Sequence, residues 1–177
     1  MTTTIYTIGH STRAIEEFIA ILKAFHIEMV VDVRTIAKSR HNPQFGEEAL
    51  RESLTQQGIG YQRLEALGGL RHTTAVSINT AWRNKSFRGY ADYMQTPQFA
   101  AGIQELLEIA KKARTVIMCA EALPWRCHRS LIGDALLVRG IQVEDIMSKK
   151  SSKPHRLTPW AQVDGETITY PADETEA

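Results

Sequence analysis

The stretch Thr115-Val116-Ile117-Met118 is a near-continuous apolar run, and Cys119-Ala120-Glu121 follows it directly. A run of this kind is typical of a strand buried on both faces of a parallel sheet, because helices cover such a sheet on either side. Working outward from it, four further short apolar or β-prone runs predict strands at residues 5–8, 29–31, 61–67 and 142–147.

Segments with helical periodicity separate these runs. Apolar side chains recur three and four residues apart, or a glycine stop follows, in the segments 15–25, 47–57, 90–94, 99–113 and 129–138. Alternating strands and helices predict one α/β domain over residues 1–170, with a mainly parallel sheet of about five strands and helices on both faces. We also expect an irregular stretch over residues 70–89, a small hairpin around Asp164-Gly165, and a disordered acidic tail over residues 171–177.

Composition narrows the class of protein. The 177 residues are 43% hydrophobic and 23% charged with a net charge of +1, so no global field would draw the molecule to nucleic acid or to a membrane. No apolar run approaches the roughly 18 residues that span a bilayer. The N-terminus enters a strand without a signal peptide pattern, and there are only two cysteines. We therefore expect a cytoplasmic protein with reduced thiols.

Polar residues follow the predicted strands at the point where each one ends. The carboxyl ends of parallel strands meet at one edge of a sheet, where ligands of open α/β sheets bind. The residues that this argument brings together are His10, Asp32, Arg34, Gly68, Gly69, Cys119, Glu121, Cys127, His128 and Arg129. The sequence therefore predicts a functional site at this edge, although Asp32 and Arg34 could instead form a purely structural ion pair.

The two cysteines leave several chemistries open. Cys127 stands at the start of a predicted helix among cations, which predicts a lowered thiol pKa and a nucleophile assisted by His10 or His128. Cys119 could be a small buried hydrophobe. A metal site from Cys119, Cys127 and His128 matches no standard zinc spacing, and a redox pair would lack the C-x-x-C pattern. A tyrosine phosphatase is disfavoured, since Cys119 and Arg126 are one residue too far apart.

The segment 82–88 interleaves aromatic and cationic residues. Trp82, Arg83, Lys85 and Arg88 would suit stacking on bases with contacts to phosphates, which predicts a nucleic-acid-binding surface. The same pattern suits an ordinary loop that Trp82 and Phe87 anchor to the protein. Both interpretations remain open from sequence.

Several motifs in one order resemble domain-of-unknown-function family 488, over about residues 5–170. They are the segments 7–13 (TIGHSTR), 32–34 (DVR), 39–45 (SRHNPQF), 67–69 (LGG), 89–94 (GYADYM), 119–121 (CAE) and 127–129 (CHR). The resemblance implies a compact α/β domain of bacterial or archaeal type and brings no established activity. This chain departs from the family pattern at Asp145, where similar members often have a histidine, and at Ala37, where the family usually has proline.

The leading hypothesis is an enzyme that acts on a small anionic or phosphate-bearing substrate, such as a nucleotide or a nucleic-acid component. The anion would be bound by Arg34, Arg40, Arg129, Gly68, Gly69 and Tyr90. Asp32 or Glu121 would orient a base or a substrate hydroxyl, His10 or His128 would move protons, and Cys127 would be the nucleophile, with Cys119 second. The alternatives are a non-catalytic nucleic-acid-binding or regulatory module and a metal-dependent hydrolase. We predict no cofactor and no membrane partner.

Overall fold

The computed structural model describes residues 3–69 and 71–172, and the secondary structure within them alternates between strands and helices. The helices are α1 (Ile15–Ala24), α2 (Glu47–Gln56), α3 (Lys85–Tyr93), α4 (Pro97–Lys112) and α5 (Arg129–Leu137). The strands are β1 (Thr4–Gly9), β2 (Met29–Asp32), β3 (Gly60–Arg63), β4 (Thr115–Cys119), β5 (Gln142–Ser148), β6 (Ser151–Pro154), β7 (Gln162–Asp164) and β8 (Thr167–Thr169).

Six strands form one sheet in the order β3-β2-β4-β1-β5-β6. Strands β1 to β5 are parallel, and β6 runs antiparallel to β5 at the edge. The predicted α/β fold is confirmed, with one more strand than the five expected. The predicted hairpin is also confirmed, because β7 and β8 pair around Asp164 and Thr167.

The central strand β4 is buried along its whole length, as its apolar sequence predicts. Val116 and Met118 pack in one hydrophobic cluster with residues of α1 and α2. Ile117 and Cys119 face the other way, into a cluster with residues of α4 and α5. Helices therefore cover both faces of the sheet, and the alternation along β4 divides the core into two layers.

Two local predictions need correction. The third strand ends at Arg63 rather than Leu67, because Glu65–Leu67 turns away as a short 3₁₀ helix. The irregular stretch ends before Gly89, since α3 already begins at Lys85. There the Asn84 side chain accepts hydrogen bonds from the backbone N–H groups of Ser86 and Phe87 and caps the helix.

Two further observations concern the chain as a whole. No helix among residues 3–69 and 71–172 is long and apolar enough to cross a membrane. The predicted disorder of the acidic end concerns mainly residues 173–177, which lie outside the described residues.

Candidate functional site

The strand ends line a cleft of about 440 Å³ at the carboxyl edge of the sheet. Backbone hydrogen bonds hold this edge together, since His10 N donates to Cys119 O (2.9 Å) and Val33 N donates to Met118 O (3.0 Å). The predicted site residues that line the cleft are His10, Arg34, Gly69, Cys119, Glu121, Cys127 and His128. The structure thus brings together side chains from the ends of β1, β2 and β4 and from the start of α5, which lie far apart in the sequence.

The two cysteines form the most unusual contact in the cleft. Cys127 Sγ donates a hydrogen bond to Cys119 Sγ at 2.8 Å. Arg129 Nη1 approaches the same Cys119 sulfur at 3.6 Å. Both cysteines are free thiols, with Cys119 2% exposed and Cys127 8% exposed. One sulfur therefore receives hydrogen bonds from both a thiol and a guanidinium group.

This geometry corrects the prediction that Cys127 is the low-pKa thiol. Burial alone would raise the pKa of Cys119, but the hydrogen bond from Cys127 and the positive charge of Arg129 bring that pKa below its ordinary value. Donation to Cys119, together with burial, holds the pKa of Cys127 well above its ordinary value. The helix start and Arg129 also lower the pKa of Cys127, but its hydrogen bond to Cys119 and its burial outweigh them and set which thiol has the lower pKa.

His128 lies beside the cysteine pair and is neutral at physiological pH. Burial lowers the pKa of His128 to about 4, although the hydrogen bond to Val33 opposes that shift. Its Nε2 donates to the Val33 carbonyl at 2.8 Å, so Nδ1 carries the lone pair. That Nδ1 lies 3.4 Å from Cys127 Sγ. The lone pair of His128 therefore faces the Cys127 sulfur.

His10 has a different position and a different set of partners. Its Nδ1 donates to the Ser11 carbonyl at 2.8 Å, and Arg34 Nη1 approaches its Nε2 at 3.4 Å. Burial lowers the pKa of His10, and the charge of Arg34 adds to that effect. The ring also stacks on Phe45, with centroids 4.3 Å apart. These contacts fix His10 as a neutral wall of the cleft.

Asp32 and Arg34 form the structural ion pair that the sequence left open. Arg34 Nη2 donates to Asp32 Oδ2 at 2.7 Å, and both side chains are buried. Arg34 Nε donates to Asp32 Oδ1 at 2.9 Å, and the hydroxyl of Tyr61 donates to Asp32 Oδ2. Arg34 nevertheless lines the cleft, so Asp32 holds a cationic group at the cleft wall.

Four other predicted substrate-binding residues do not line this cleft. Arg129 is 1% exposed and donates to Cys119 and to the carbonyl of Ala122. Tyr90 is fully buried and donates to the carbonyl of Leu67. Gly68 packs against Thr35, and Arg40 is exposed outside the cleft. Arg129 therefore acts on the site through Cys119.

The structure adds cleft residues that sequence reasoning did not single out. Lys38 and Ser39 line the cleft from the loop after β2, and Phe87 lines it from α3. Arg126 also lines it, although the sequence identified that residue only as a cation near Cys127. The signal for Lys38 was its place in the polar loop that follows a strand end, which is where such folds bind ligands.

Some residues of the segment 82–88, which was proposed for nucleic-acid binding, contact other residues of the same segment. Trp82 stacks on Phe87 with ring centroids 4.9 Å apart, and Arg88 Nε donates to the Trp82 carbonyl at 2.9 Å. Arg83 and Lys85 are exposed. The anchoring role of Trp82 and Phe87 is therefore present, while nucleic-acid binding by this segment stays a prediction.

The metal alternative receives no geometric support. Within residues 3–69 and 71–172, no group of three or more His, Cys, Asp or Glu side chains has the arrangement of a metal site. Cys127 instead donates its hydrogen to Cys119, while His128 Nδ1 lies 3.4 Å from the Cys127 sulfur.

Comparison with known proteins gives one match. The sequence model described as "Domain of unknown function DUF488" matches residues 14–136, which include β2, β4 and the start of α5. No curated protein and no solved structure matches the chain. Because the match spans more than half of the sequence, the chain belongs to the DUF488 family.

Proposed function

We propose that this protein is an enzyme that uses Cys119 as a thiolate nucleophile on a small anionic or phosphate-bearing substrate. The observation that carries the proposal is the 2.8 Å hydrogen bond from Cys127 to Cys119, on a sulfur that Arg129 also approaches. A thiolate is the reactive form of cysteine, and a nearby cation together with a hydrogen-bond donor stabilises it. Cys119 and Cys127 both line the cleft, so a bound substrate would meet them there.

Charge in the cleft favours an anionic substrate. Lys38 and Arg126 line it, are exposed, and form no ion pair with any residue in the described part of the chain. Arg34 also lines it, although Asp32 already pairs with its charge. Glu121 is the sole carboxylate among the described residues that line the cleft. Arg126 suits a bidentate contact with a phosphate or carboxylate group, because its guanidinium is exposed and unpaired, and desolvation in a cleft strengthens such a contact.

The proposed reaction has two steps. The Cys119 thiolate forms a bond to an electrophilic phosphorus or carbonyl carbon, and the bond to the leaving group breaks with its electron pair on that group. Cys127 gives its proton to the leaving group and becomes a thiolate. A water molecule then attacks the covalent intermediate, returns a proton to Cys127 and releases Cys119 as a thiolate. With another acceptor in place of water, the same scheme describes a transferase.

His128 would position Cys127 for this exchange of protons. Its Nδ1 lone pair faces Cys127 Sγ, and the Val33 carbonyl fixes the tautomer. Because the pKa of His128 is lowered to about 4, its imidazole stays neutral and orients Cys127 rather than taking its proton. Arg129 would stabilise the Cys119 thiolate before its attack and again when the second step releases it.

The first test measures which sulfur carries the charge. Ultraviolet absorbance of the thiolate is followed against pH in the wild-type protein and in two variants of Cys127. We expect Cys127→Ser to keep a low Cys119 pKa, because its hydroxyl still donates a hydrogen bond. Cys127→Ala removes the donor and should raise that pKa. Equal titration of Cys119 in both variants would contradict the proposed role of Cys127.

The second test measures catalysis with chromogenic phosphate and carboxylate esters. We expect Cys119→Ser to lower the rate by at least about a hundredfold, with a smaller loss for Cys127→Ser. Lys112→Ala is the control for a substitution outside the cleft, since Lys112 is exposed at the end of α4 and does not line the cleft. A rate that survives Cys119→Ser unchanged would rule out the thiolate mechanism.

A further inference from the structure

All three tryptophans of the chain line one second cleft, outside the cysteine site. This tryptophan cleft has a volume of about 550 Å³ and is formed by Trp82, Trp125, Trp160, Lys153, His155 and Arg156, with neighbouring residues. Its volume lies within the range of roughly 300–1,000 Å³ that small-molecule sites occupy. The cleft brings together the loop after β4, strand β6 and the segment that follows β6.

Two of the three indole rings are largely exposed to solvent instead of packing in the hydrophobic core. Trp125 is 60% exposed and Trp160 is 45% exposed. Trp82 meets Trp160 edge-on, with ring centroids 5.3 Å apart. The Trp82 Nε1 donor is buried with no hydrogen-bond partner among the described residues. Large exposed aromatic surface that is gathered in a concave site is a sign of ligand binding.

The charge around these rings selects the kind of ligand. Lys153 and Arg156 are exposed and form no ion pair with any residue that the structure describes. Asp145 also lines the cleft, but it accepts hydrogen bonds from Thr7 and His155, at 3.3 Å from the latter. The unpaired charge in the cleft is therefore positive, which disfavours the quaternary ammonium ligands that aromatic cages bind.

We infer that the tryptophan cleft binds a phosphorylated nucleoside, with the base against Trp125 and Trp160 and the phosphate against Lys153 and Arg156. Flat indole faces stack on bases of any sequence, and neighbouring cations neutralise the phosphate. The ligand could be a free nucleotide or one residue of a single strand, because both present the same base and phosphate. This inference does not use the cysteines and does not depend on the proposed thiol chemistry.

The tryptophan cleft adjoins the cysteine cleft at two places in the chain. Trp125 lines the tryptophan cleft, while the next residue, Arg126, lines the cysteine cleft. The stacked pair Trp82 and Phe87 has one ring in each lining. A nucleotide held by the tryptophans would thus lie beside the cysteine cleft.

Intrinsic fluorescence tests the inference directly, because every tryptophan of the full chain reports on this one cleft. Adenosine monophosphate, adenosine, ribose 5-phosphate and a single-stranded octanucleotide are titrated separately. We expect adenosine monophosphate to change the fluorescence, and adenosine and ribose 5-phosphate each to bind about tenfold more weakly or worse. If the natural ligand is a free nucleotide, the octanucleotide should bind no more tightly than adenosine monophosphate. If the natural ligand is a single strand, the octanucleotide should bind more tightly, and its affinity should fall steeply with salt concentration.

Variants locate the site by calorimetry, which does not need the indoles as a signal. Trp125→Ala and Trp160→Ala should each weaken adenosine monophosphate binding by about tenfold. Lys153→Ala should weaken the nucleotide more than adenosine. Val163→Ala is the control for loss of exposed apolar surface, since Val163 is 45% exposed and lies outside the lining. Absence of binding at millimolar nucleotide, or binding that both tryptophan variants leave unchanged, would overturn the inference.

Discussion

Cys127 Sγ lies 2.8 Å from Cys119 Sγ, and its hydrogen bond is directed at the sulfur that Arg129 approaches from α5. The two thiols are eight residues apart in the chain and join the end of β4 to the start of α5. Their contact therefore links the centre of the sheet to the helix that follows it. A change in the charge or the covalent state of one sulfur therefore changes the hydrogen bond between the two.

We expect mild oxidation to join these two sulfurs. With diamide, the two thiol hydrogens pass to the azo nitrogens and an intramolecular disulfide forms, because a thiolate and a thiol are already in contact. Intact mass spectrometry should show loss of two hydrogen atoms, and peptide mapping should place the bond between Cys119 and Cys127. Catalysis through Cys119 should stop and return on reduction.

The single variants control for this experiment. Cys119→Ser and Cys127→Ser each retain one thiol, so neither should lose two hydrogen atoms as a monomer. If the wild-type protein stays fully reduced under conditions that oxidise a small dithiol, the contact between the sulfurs is not accessible to exchange, and this prediction is wrong.

Loss of the Asp32 charge should destabilise the fold strongly. Asp32 is fully buried and accepts hydrogen bonds from both the backbone and the guanidinium of Arg34. Asp32→Asn leaves the buried arginine without its counter-charge, and we expect a loss of about 3–5 kcal/mol in the free energy of unfolding. Urea denaturation measures it.

An exposed ion pair provides the comparison. Glu47 accepts from Arg51 one helical turn away, at 3.3 Å. Glu47→Gln should change the free energy of unfolding by only about 0.5 kcal/mol or less. Similar losses in the free energy of unfolding for Asp32→Asn and Glu47→Gln would mean that the buried ion pair stabilises the fold no more than a surface ion pair does.

The sequence predicted where the polar strand ends meet because that meeting point depends on local patterns and one topological rule. Alternation of strands and helices places the strand ends at one edge, and α5 begins at Arg129 as its pattern indicates. Strand β6 escaped prediction because Ser151–Pro154 is polar, short and exposed on the sheet edge. Its pairing with β5 depends on the backbone rather than on an apolar face.

The order of the cysteine pKa values could not be predicted from neighbours in the sequence. Cys127 stands next to His128 and between two arginines, and that pattern favours a low pKa there. In the folded chain the Arg129 side chain is directed at Cys119, which is ten residues away. Which sulfur receives the charge depends on how the loop after β4 folds back, and spacing alone does not contain that information.

Two histidines should titrate on opposite sides of the ordinary value. Burial lowers the pKa of His128 to about 4. Burial alone would also lower the pKa of His155, but its hydrogen bonds to Asp134 (3.0 Å) and Asp145 (3.3 Å) raise it to about 9. Proton NMR of the ring hydrogens against pH measures both values in one sample, and His128→Gln and His155→Gln assign the signals. Coincident titration near 6.5 would contradict both local environments.

The same two shifts predict how stability depends on pH. The lowered pKa of His128 gives a contribution that is complete above about 6.5 and declines as the pH falls toward about 4, because only the unfolded state binds the proton there. The raised pKa of His155 gives a contribution that is complete below about 6.5 and declines as the pH rises through about 9.

Each histidine should therefore govern one limb of the stability profile, with a full extent of about 3 kcal/mol per limb. Urea denaturation across the pH range should show a flatter acid limb in His128→Gln and a flatter alkaline limb in His155→Gln. The comparison uses slopes, since His155→Gln also weakens the contacts of Asp134 at every pH. Unchanged slopes in both variants would show that these protons do not couple to folding.

Gly9 at the end of β1 should tolerate no side chain, because the loop after β4 crosses directly over it. A Cβ at Gly9 would lie 1.8 Å from the carbonyl oxygen of Glu121 and 2.4 Å from its carbonyl carbon. Both atoms are backbone, so the loop that begins at Cys119 has to move. We expect Gly9→Ala to lower the free energy of unfolding by about 3 kcal/mol or more and to raise the Cys119 pKa.

Gly60 provides a matched control at the start of another strand. A Cβ there would meet Met29 Cε at 2.6 Å, which is the far end of a flexible side chain that can turn aside. Gly60→Ala should therefore cost about 1 kcal/mol or less and leave the thiolate absorbance unchanged. If Gly9→Ala is as stable as Gly60→Ala and its Cys119 titrates as in the wild type, the loop after β4 is not held against β1. Some other part of the fold would then have to hold Cys119, Cys127 and Arg129 in contact.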